Sequence, residues 1–410
     1  MSTLDERVLD TLRFLLRTSH LGGPDELPAL VSGAGQRLGA EDAILYVVDY
    51  DHLVLVPLTA TGGSPHRVEA AEPVTVDGTL AGRAFADVTQ HVSVAGTHVS
   101  LWVPVVDGTA RLGVLQILLA SGTDVDDDFR SACTDVSSLV AELLMTKALY
   151  GDAVERTRRR AFMTVPAELQ WTLLPPLTCV SPRVAVTGVL APAVEVAGDS
   201  FDYALNGGTL HVALFDAMGH GMEATLLSAV AVSSLRSARR SGLGLADTVR
   251  SIERELAAQF GPDKFVTGIV AELDVVTGWW QWASCGHPSA LIVRDGKVVK
   301  VLDEVVCAPL GLGLVDDPLP IGKERLQPGD RLVLYSDGVV EARDHDGEFF
   351  GTERLVDFVT RQAVAGRPVA ETLRRLNHAV LDHQEGTLQD DATTVLVEWL
   401  VPGEPEESTP

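Results

Sequence analysis

The chain has few of the features that would place it in a membrane, on nucleic acid or in an oxidising compartment. No apolar run in its 410 residues approaches the ~20 needed to span a bilayer. Its start, MSTLDERVLD, carries acids where a secretion signal would carry a basic and then an apolar segment. Cysteine is scarce: Cys133, Cys179, Cys285 and Cys307 are scattered with no close pair. That spacing argues against a thiolate metal site and a disulfide framework, and it fits a reducing cytoplasm. Basic residues are outnumbered, 32 Lys and Arg against 57 Asp and Glu, for a formal net charge of −25. A chain of that charge repels nucleic acid and anionic lipid. The expected protein is cytoplasmic, with no nucleic acid and no membrane among its partners. If it acts on phosphate esters, it needs a cation to bring the two negative charges together.

Hydrophobic residues make up 46% of the chain, enough to bury substantial cores, and the length suits about two domains at ~150 residues each. Apolar residues recur at helical spacing over 3–20 and 25–40. Strand-like runs follow, AILYVVDY, HLVLVPLTA, HVSLWVPVV and LGVLQILLA, punctuated by glycine and Asp-Gly turns. Residues 1–125 therefore read as an α+β unit. Over 126–167 a connecting helix is expected, with Phe129, Ala132, Val136, Leu139, Leu143, Thr146, Tyr150 and Ala153 at alternating three- and four-residue steps. Two readings of that stripe stand side by side, a coiled-coil seam joining two chains and one amphipathic helix packed on its own domain. The basic run ERTRRR (155–160) falls on the same helix, and Pro166 with LLPPL is expected to end it.

A larger α+β unit is expected over 168–400. Strands read near 183–191, 208–216, 265–274, 279–285, 289–294, 331–336 and 393–399, and helices near 222–240, 245–260, 352–364 and 368–383. Hairpin-linked strands with helices in consecutive pairs point to antiparallel sheets covered by helices. The tail, 401–410, is Pro- and Glu-rich and reads as disordered.

Within this unit, acids mark the ends of strands. VALFDAMGHG ends an apolar run on Asp216 and RLVLYSDG ends another on Asp337. LQDDATTVLV places Asp390 and Asp391 just before a strand, and EVAGDSFDY offers Asp199 with Asp202 three residues on. One such acid is most simply a helix cap or turn residue. Acids after two antiparallel strands and before a third can collect at one sheet edge, and carboxylates gathered there repel one another unless divalent cations lie between them. All-oxygen ligands select Mg²⁺ or Mn²⁺ over Zn²⁺. Two such ions can activate a shared water against a phosphorus centre.

These segments, in this order, resemble the SpoIIE/RsbU-type branch of the metal-dependent serine/threonine phosphatases, the PPM superfamily. The matching stretches are AGD ending at Asp199, DAMGHG from Asp216, FVTGIVAELD, SCGHP, APLG, LVLYSDGVVEARD and DDATTVLV, with QWTLLPP (170–176) similar to the family's junction into the domain. The resemblance implies an αββα sandwich of two antiparallel sheets flanked by helices. It implies two Mn²⁺ or Mg²⁺ ions held by Asp199, Asp216, the carbonyl of Ala217, Asp337 and Asp390; Asp391 could exchange roles with Asp390. It also implies hydrolysis of phosphoserine or phosphothreonine by metal-activated water, on a phosphorylated anti-sigma-factor antagonist in a bacterial signalling switch.

The chain departs from the family pattern in three places. Ala197 stands for a glycine, and Ser284 and Cys285 stand for Asn and Ala before Gly286-His287. Residues 76–92 and 101–119 resemble a GAF domain, implying a sensor that regulates the phosphatase, with a homodimer formed through the connecting helix. His220 and His287 read as structural residues, Thr267 as a strand residue near the acids, and Cys285 as a small core residue. Two rivals remain at this point. A catalytically silent sensor would only bind a partner. An aspartyl-phosphate enzyme would need a second acid two residues after Asp216, where Met218 stands.

Overall fold

The computed structural model describes residues 3–20, 22–59, 71–95, 98–108, 110–159, 162–191, 198–315, 317–385 and 388–400. The tail expected to be disordered, 401–410, lies outside the described residues, as does Ala197. The chain divides into two compact units, 1–162 and 163–410.

The first unit holds α1 (Leu4–Ser19), α2 (Leu27–Leu38), β1 (Asp42–Val48), β2 (Val54–Pro57), β3 (Val74–Thr75), α3 (Leu80–Asp87), β4 (His91–Ala95), β5 (His98–Asp107), β6 (Ala110–Ala120), α4 (Asp127–Ala148) and α5 (Ala153–Arg158). Its six strands form one antiparallel sheet in the order β3-β2-β1-β6-β5-β4. One face is covered by α1, α2 and α4 around Leu15, Leu30, Leu101 and Val136. The other buries Tyr46, Trp102 and Phe85 of α3.

The segment expected to be one helix over 126–165 is not continuous. Asp126 caps α4 by accepting from Phe129 N at 2.8 Å, and the helix stops at Ala148 before Gly151. Tyr150 lies in the turn, exposed. Phe129, Ala132, Cys133, Val136, Val140 and Leu144 are all buried against the unit's own sheet. Of the stripe read from sequence, Leu139 and Leu143 are half-buried on the same core and Thr146 and Tyr150 are exposed, so the first part of the stripe is used inside the unit, as in the second of the two readings. The basic run is also used internally: Arg158 Nε donates to the Val48 carbonyl at 3.2 Å, and its guanidinium lies over the Tyr50 ring. Pro166 starts a helix instead of ending one. It sits in the first turn of α6 (Val165–Leu173), behind the N-cap Thr164, where a missing N–H costs nothing.

The second unit continues with β7 (Thr178–Val180), β8 (Val184–Ala191), β9 (Ser200–Asn206), β10 (Thr209–Ala217), α7 (Gly221–Arg240), α8 (Leu245–Phe260), β11 (Val266–Asp274), β12 (Trp279–Cys285), β13 (Leu291–Arg294), β14 (Lys297–Val301), β15 (Gly322–Arg325), β16 (Arg331–Tyr335), α9 (Asp337–Val340), α10 (Gly351–Val364), α11 (Val369–His383) and β17 (Ala392–Trp399). Two antiparallel sheets result, β15-β12-β11-β10-β9 and β14-β13-β16-β17-β8-β7. Their facing sides share one core, in which Phe201, Leu214, Trp280, Trp282, Leu334 and Val395 are buried. Helices α7 and α8 cover the outside of the five-stranded sheet, and α10 and α11 cover the six-stranded one. The layers run α, β, β, α, the sandwich expected from sequence. Four strands were not read there: β7, β9, β14 and β15.

Candidate metal centre

The strand register places the acids. Ser200 pairs with Phe215 across β9 and β10, so Asp199, just before β9, stands beside Asp216, near the end of β10. On the other sheet Tyr335 pairs with Thr394 across β16 and β17. Asp337, the first residue of α9, therefore stands beside Asp390 and Asp391, which immediately precede β17. The five-stranded sheet contributes Asp199 entering a strand and Asp216 leaving its neighbour, and the six-stranded sheet contributes Asp390 and Asp391 entering a strand and Asp337 leaving its neighbour. The two pairs share an edge of the sandwich, and Asp216 feels the charges of Asp337, Asp390 and Asp391 directly.

Glycine lets the backbone close in. A Cβ on Gly338 would lie 2.1 Å from the Asp391 carbonyl oxygen, so no side chain fits there. A Cβ on Gly198 would lie 3.0 Å from the Ala217 carbonyl oxygen, which sets that oxygen against the Asp199 turn.

The five acids are not equivalent. Asp199 is buried, and its Oδ2 has no hydrogen-bond partner. Burial first, then the charges of Asp216 and Asp391, push its carboxyl well above the usual range, against the opposing effect of the Ser336 and Thr393 hydroxyls. Asp216 is raised to about 7 by burial and by the acids around it, with the Thr267 hydroxyl acting the other way. Asp390 is exposed, yet it too is raised by partial desolvation and by Asp337, Asp391 and Glu341. Asp391 is buried and engaged by the protein. Its Oδ2 accepts from Gln170 Nε2 at 2.6 Å and from Gly198 N at 3.1 Å.

Gln170 was not singled out from sequence beyond its place in QWTLLPP. From α6 it also donates to the Asp199 carbonyl at 2.8 Å, so one amide spans the two sheets' acidic turns. Asp202 is the reverse case, an acid near Asp199 that belongs elsewhere. It is buried and held by Arg236 at 2.7 Å and Arg239 at 2.7 Å, both on α7. His220 is the exposed N-cap residue of α7. Ser284, where the family pattern has Asn, donates to the His287 carbonyl at 3.2 Å.

Among the described residues no three acidic, histidine or cysteine side chains converge on a single point. The donor chemistry nonetheless suits hard divalent cations. All the donors are oxygens, Asp199 has an orphaned buried oxygen, and the raised acids oppose one another. Positive charge placed along this edge would relieve that repulsion.

A pH dependence follows for the metal-free protein. A carboxyl raised on folding binds protons that the unfolded chain has already lost between about pH 4, the ordinary value, and about 7, the value of folded Asp216. The folded state holds more protons in that window, so its stability falls as pH rises. In chelator, the melting temperature is expected to be several degrees higher at pH 6 than at pH 8. An unchanged or lower value at pH 6 would contradict the repulsion described above.

Residues 206–400 match the model of the family described as Stage II sporulation protein E (SpoIIE). Phosphoserine phosphatase RsbU of Bacillus subtilis is 21% identical over 234 residues, covering 57% of this chain and 68% of that protein. Phosphoserine phosphatase RsbP of the same organism is 23% identical over 167 residues, covering 40% and 41%. Its Stage II sporulation protein E is 23% identical over 208 residues, covering 49% and 24%. A crystal structure of RsbU and RsbW domains from Mycobacterium tuberculosis aligns with a TM-score of 0.49 at 25% identity, over 54% of this chain and 63% of that one. The chain thus spans about two thirds of RsbU and less than half of the other two curated relatives.

Proposed function

We propose that the protein is a metal-dependent serine/threonine phosphatase of the PPM superfamily, a reading supported by the match of residues 206–400 to the SpoIIE family model. The observation that carries this is the meeting of two acidic turns from two sheets at one edge, with a buried oxygen of Asp199 left unpaired. Asp199, Asp216, the Ala217 carbonyl, Asp337 and Asp390 would hold two Mn²⁺ or Mg²⁺ ions. Asp391 would anchor the site internally, since Gln170 and Gly198 already occupy its Oδ2. Two bound cations would supply an activated water and neutralise charge on a phosphate ester.

The chain's own residues do the positioning. Gln170 fixes the turns that carry Asp199 and Asp391, and Gly338 lets α9 start against the Asp391 carbonyl, aiming Asp337 along the edge. An alcohol leaving group needs no covalent enzyme intermediate. The substrate that the resemblance implies is a phosphorylated anti-sigma-factor antagonist in the cytoplasm. No helix among the described residues is long and apolar enough to cross a membrane. The first unit is read as a GAF-like sensor acting through α6, the first element of the second unit, whose Gln170 reaches the acids.

One assay tests both parts. Hydrolysis of a phosphoserine peptide should require Mn²⁺ or Mg²⁺ and cease in chelator. Residues 163–410 alone should show a changed turnover or a changed metal requirement. The cut belongs at 162, because α4 is part of the first unit's core. Hydrolysis that ignores metal would refute the metal centre, no hydrolysis with metal would refute the phosphatase reading, and identical behaviour of the two forms would refute the regulatory one.

A further inference from the structure

The loop 286–290 carries the chain from β12, in the five-stranded sheet, to β13, in the six-stranded one. Gly286 begins it at φ +68, a left-handed turn that favours glycine. The next residue, His287, is buried. Its Nδ1 lies 3.0 Å from Thr267 Oγ1. Thr267 stands on β11, directly opposite Asp216 in the register, and its Oγ1 is also 3.5 Å from the Asp216 carbonyl oxygen. The other ring nitrogen, Nε2, is buried and has no hydrogen-bond partner.

We propose that His287 is a positioning residue for the acidic edge: through Thr267 it holds the strand end that carries Asp216. The claim rests on the metal reading of the site given above.

Burial pulls the ring down to about 4, so at neutral pH it is uncharged, with one N–H and one lone pair. Its Nδ1 and the Thr267 hydroxyl share one hydrogen bond at 3.0 Å, shorter than the 3.5 Å approach of the same hydroxyl to the Asp216 carbonyl. The threonine is thereby fixed in one orientation beside Asp216. Ser284, donating to the His287 carbonyl, and the close fit of Gly286 against Pro309 hold the loop that presents the ring. Partners of this kind, one step away from metal-binding groups, are worth ~10–100-fold in metal affinity.

The test is Mn²⁺ affinity by calorimetry on the full chain, with thermal melting of the metal-free protein as the control for folding. His287→Phe and Thr267→Val should each weaken Mn²⁺ binding about tenfold. The double variant should bind no more weakly than the worse single one, because both substitutions cut the same chain of contacts. His287→Asn, which keeps a polar group near the Nδ1 position, should recover most of the loss. Affinities within twofold of wild type, losses that multiply in the double variant, or equal losses for Asn and Phe would each overturn the proposal. If His287→Phe does not fold, the near-isosteric Thr267→Val decides alone. Wild type that binds Mn²⁺ without hydrolysing phosphoserine would sink the phosphatase reading and leave this one standing. Wild type that binds no Mn²⁺ would overturn both.

Discussion

Asp216→Asn is expected to lower metal-dependent hydrolysis of a phosphoserine peptide on the order of 10³-fold, the scale of losing a central electrostatic element of an active site. Asp216 feels the charges of Asp337, Asp390 and Asp391 and acts in turn on Asp199, so it links the acids of the two sheets. The amide keeps the size and one oxygen but removes the charge that attracts cations. The same neutralisation removes the repulsion Asp216 suffers, so the metal-free variant should melt no lower than wild type, and higher at pH 8. Loss of activity with retained or raised stability is the signature of a site whose charges are arranged for function at the expense of the empty fold. A variant that keeps a tenth or more of wild-type turnover would remove Asp216 from the centre.

Asp202→Ala is expected to have the largest effect on stability, about 3–5 kcal/mol, as for breaking a buried ion pair by removing one partner. Asp202 lies in β9 with its side chain 1% exposed, and both of its oxygens are taken by α7 arginines. Arg236 also donates to the Leu173 carbonyl at the end of α6 at 2.6 Å. Removing the carboxylate would leave two partly buried guanidinium groups without their counter-charge and loosen α6 along with α7. Chemical denaturation should show the loss as a lower midpoint with little change in slope. A shift worth less than about 1 kcal/mol would mean that the ion pairs behave like surface contacts.

The contrast between these two acids marks how far the sequence could be read. Asp216 and Asp337 were legible because each ends an apolar strand, where a charge is out of place unless it has a task. Asp202 and Asp199 looked alike in EVAGDSFDY. What separates them is Arg236 and Arg239, at sequence distances of 34 and 37 residues. Gln170 was harder still, since its partners lie 29 and 221 residues away and an amide on a helix carries no pattern of its own.

The long strands and paired helices of the second unit were read to within a few residues, because apolar runs and turn glycines are local signals. Two of the strands that were missed, β14 and β15, had a different character. In β15, GKER pairs at the edge of its sheet with two of its four residues exposed. In β14, KVVKV alternates exposed and half-buried residues at the other sheet's edge. Such strands form because a neighbour offers hydrogen bonds, not because their own side chains demand burial. The stripe over 129–153 failed for a related reason. Three- and four-residue spacing says that a helix has an apolar face, but it does not say which surface will cover that face.

The strand order of the six-stranded sheet also bears on how the protein is made. Strand β17, which follows α11, lies between β16 and β8, in the interior of the sheet and not at its edge. A nascent chain that has emerged only as far as α11 would have β8 and β16 facing an open slot, with neither able to complete its ladder. The sheet closes only when β17 arrives, and Asp390 and Asp391 arrive with it. A ribosome-bound intermediate would therefore carry an incomplete second sheet and an incomplete acidic edge. The acidic edge would be complete only once β8, β16 and β17 had all left the ribosome.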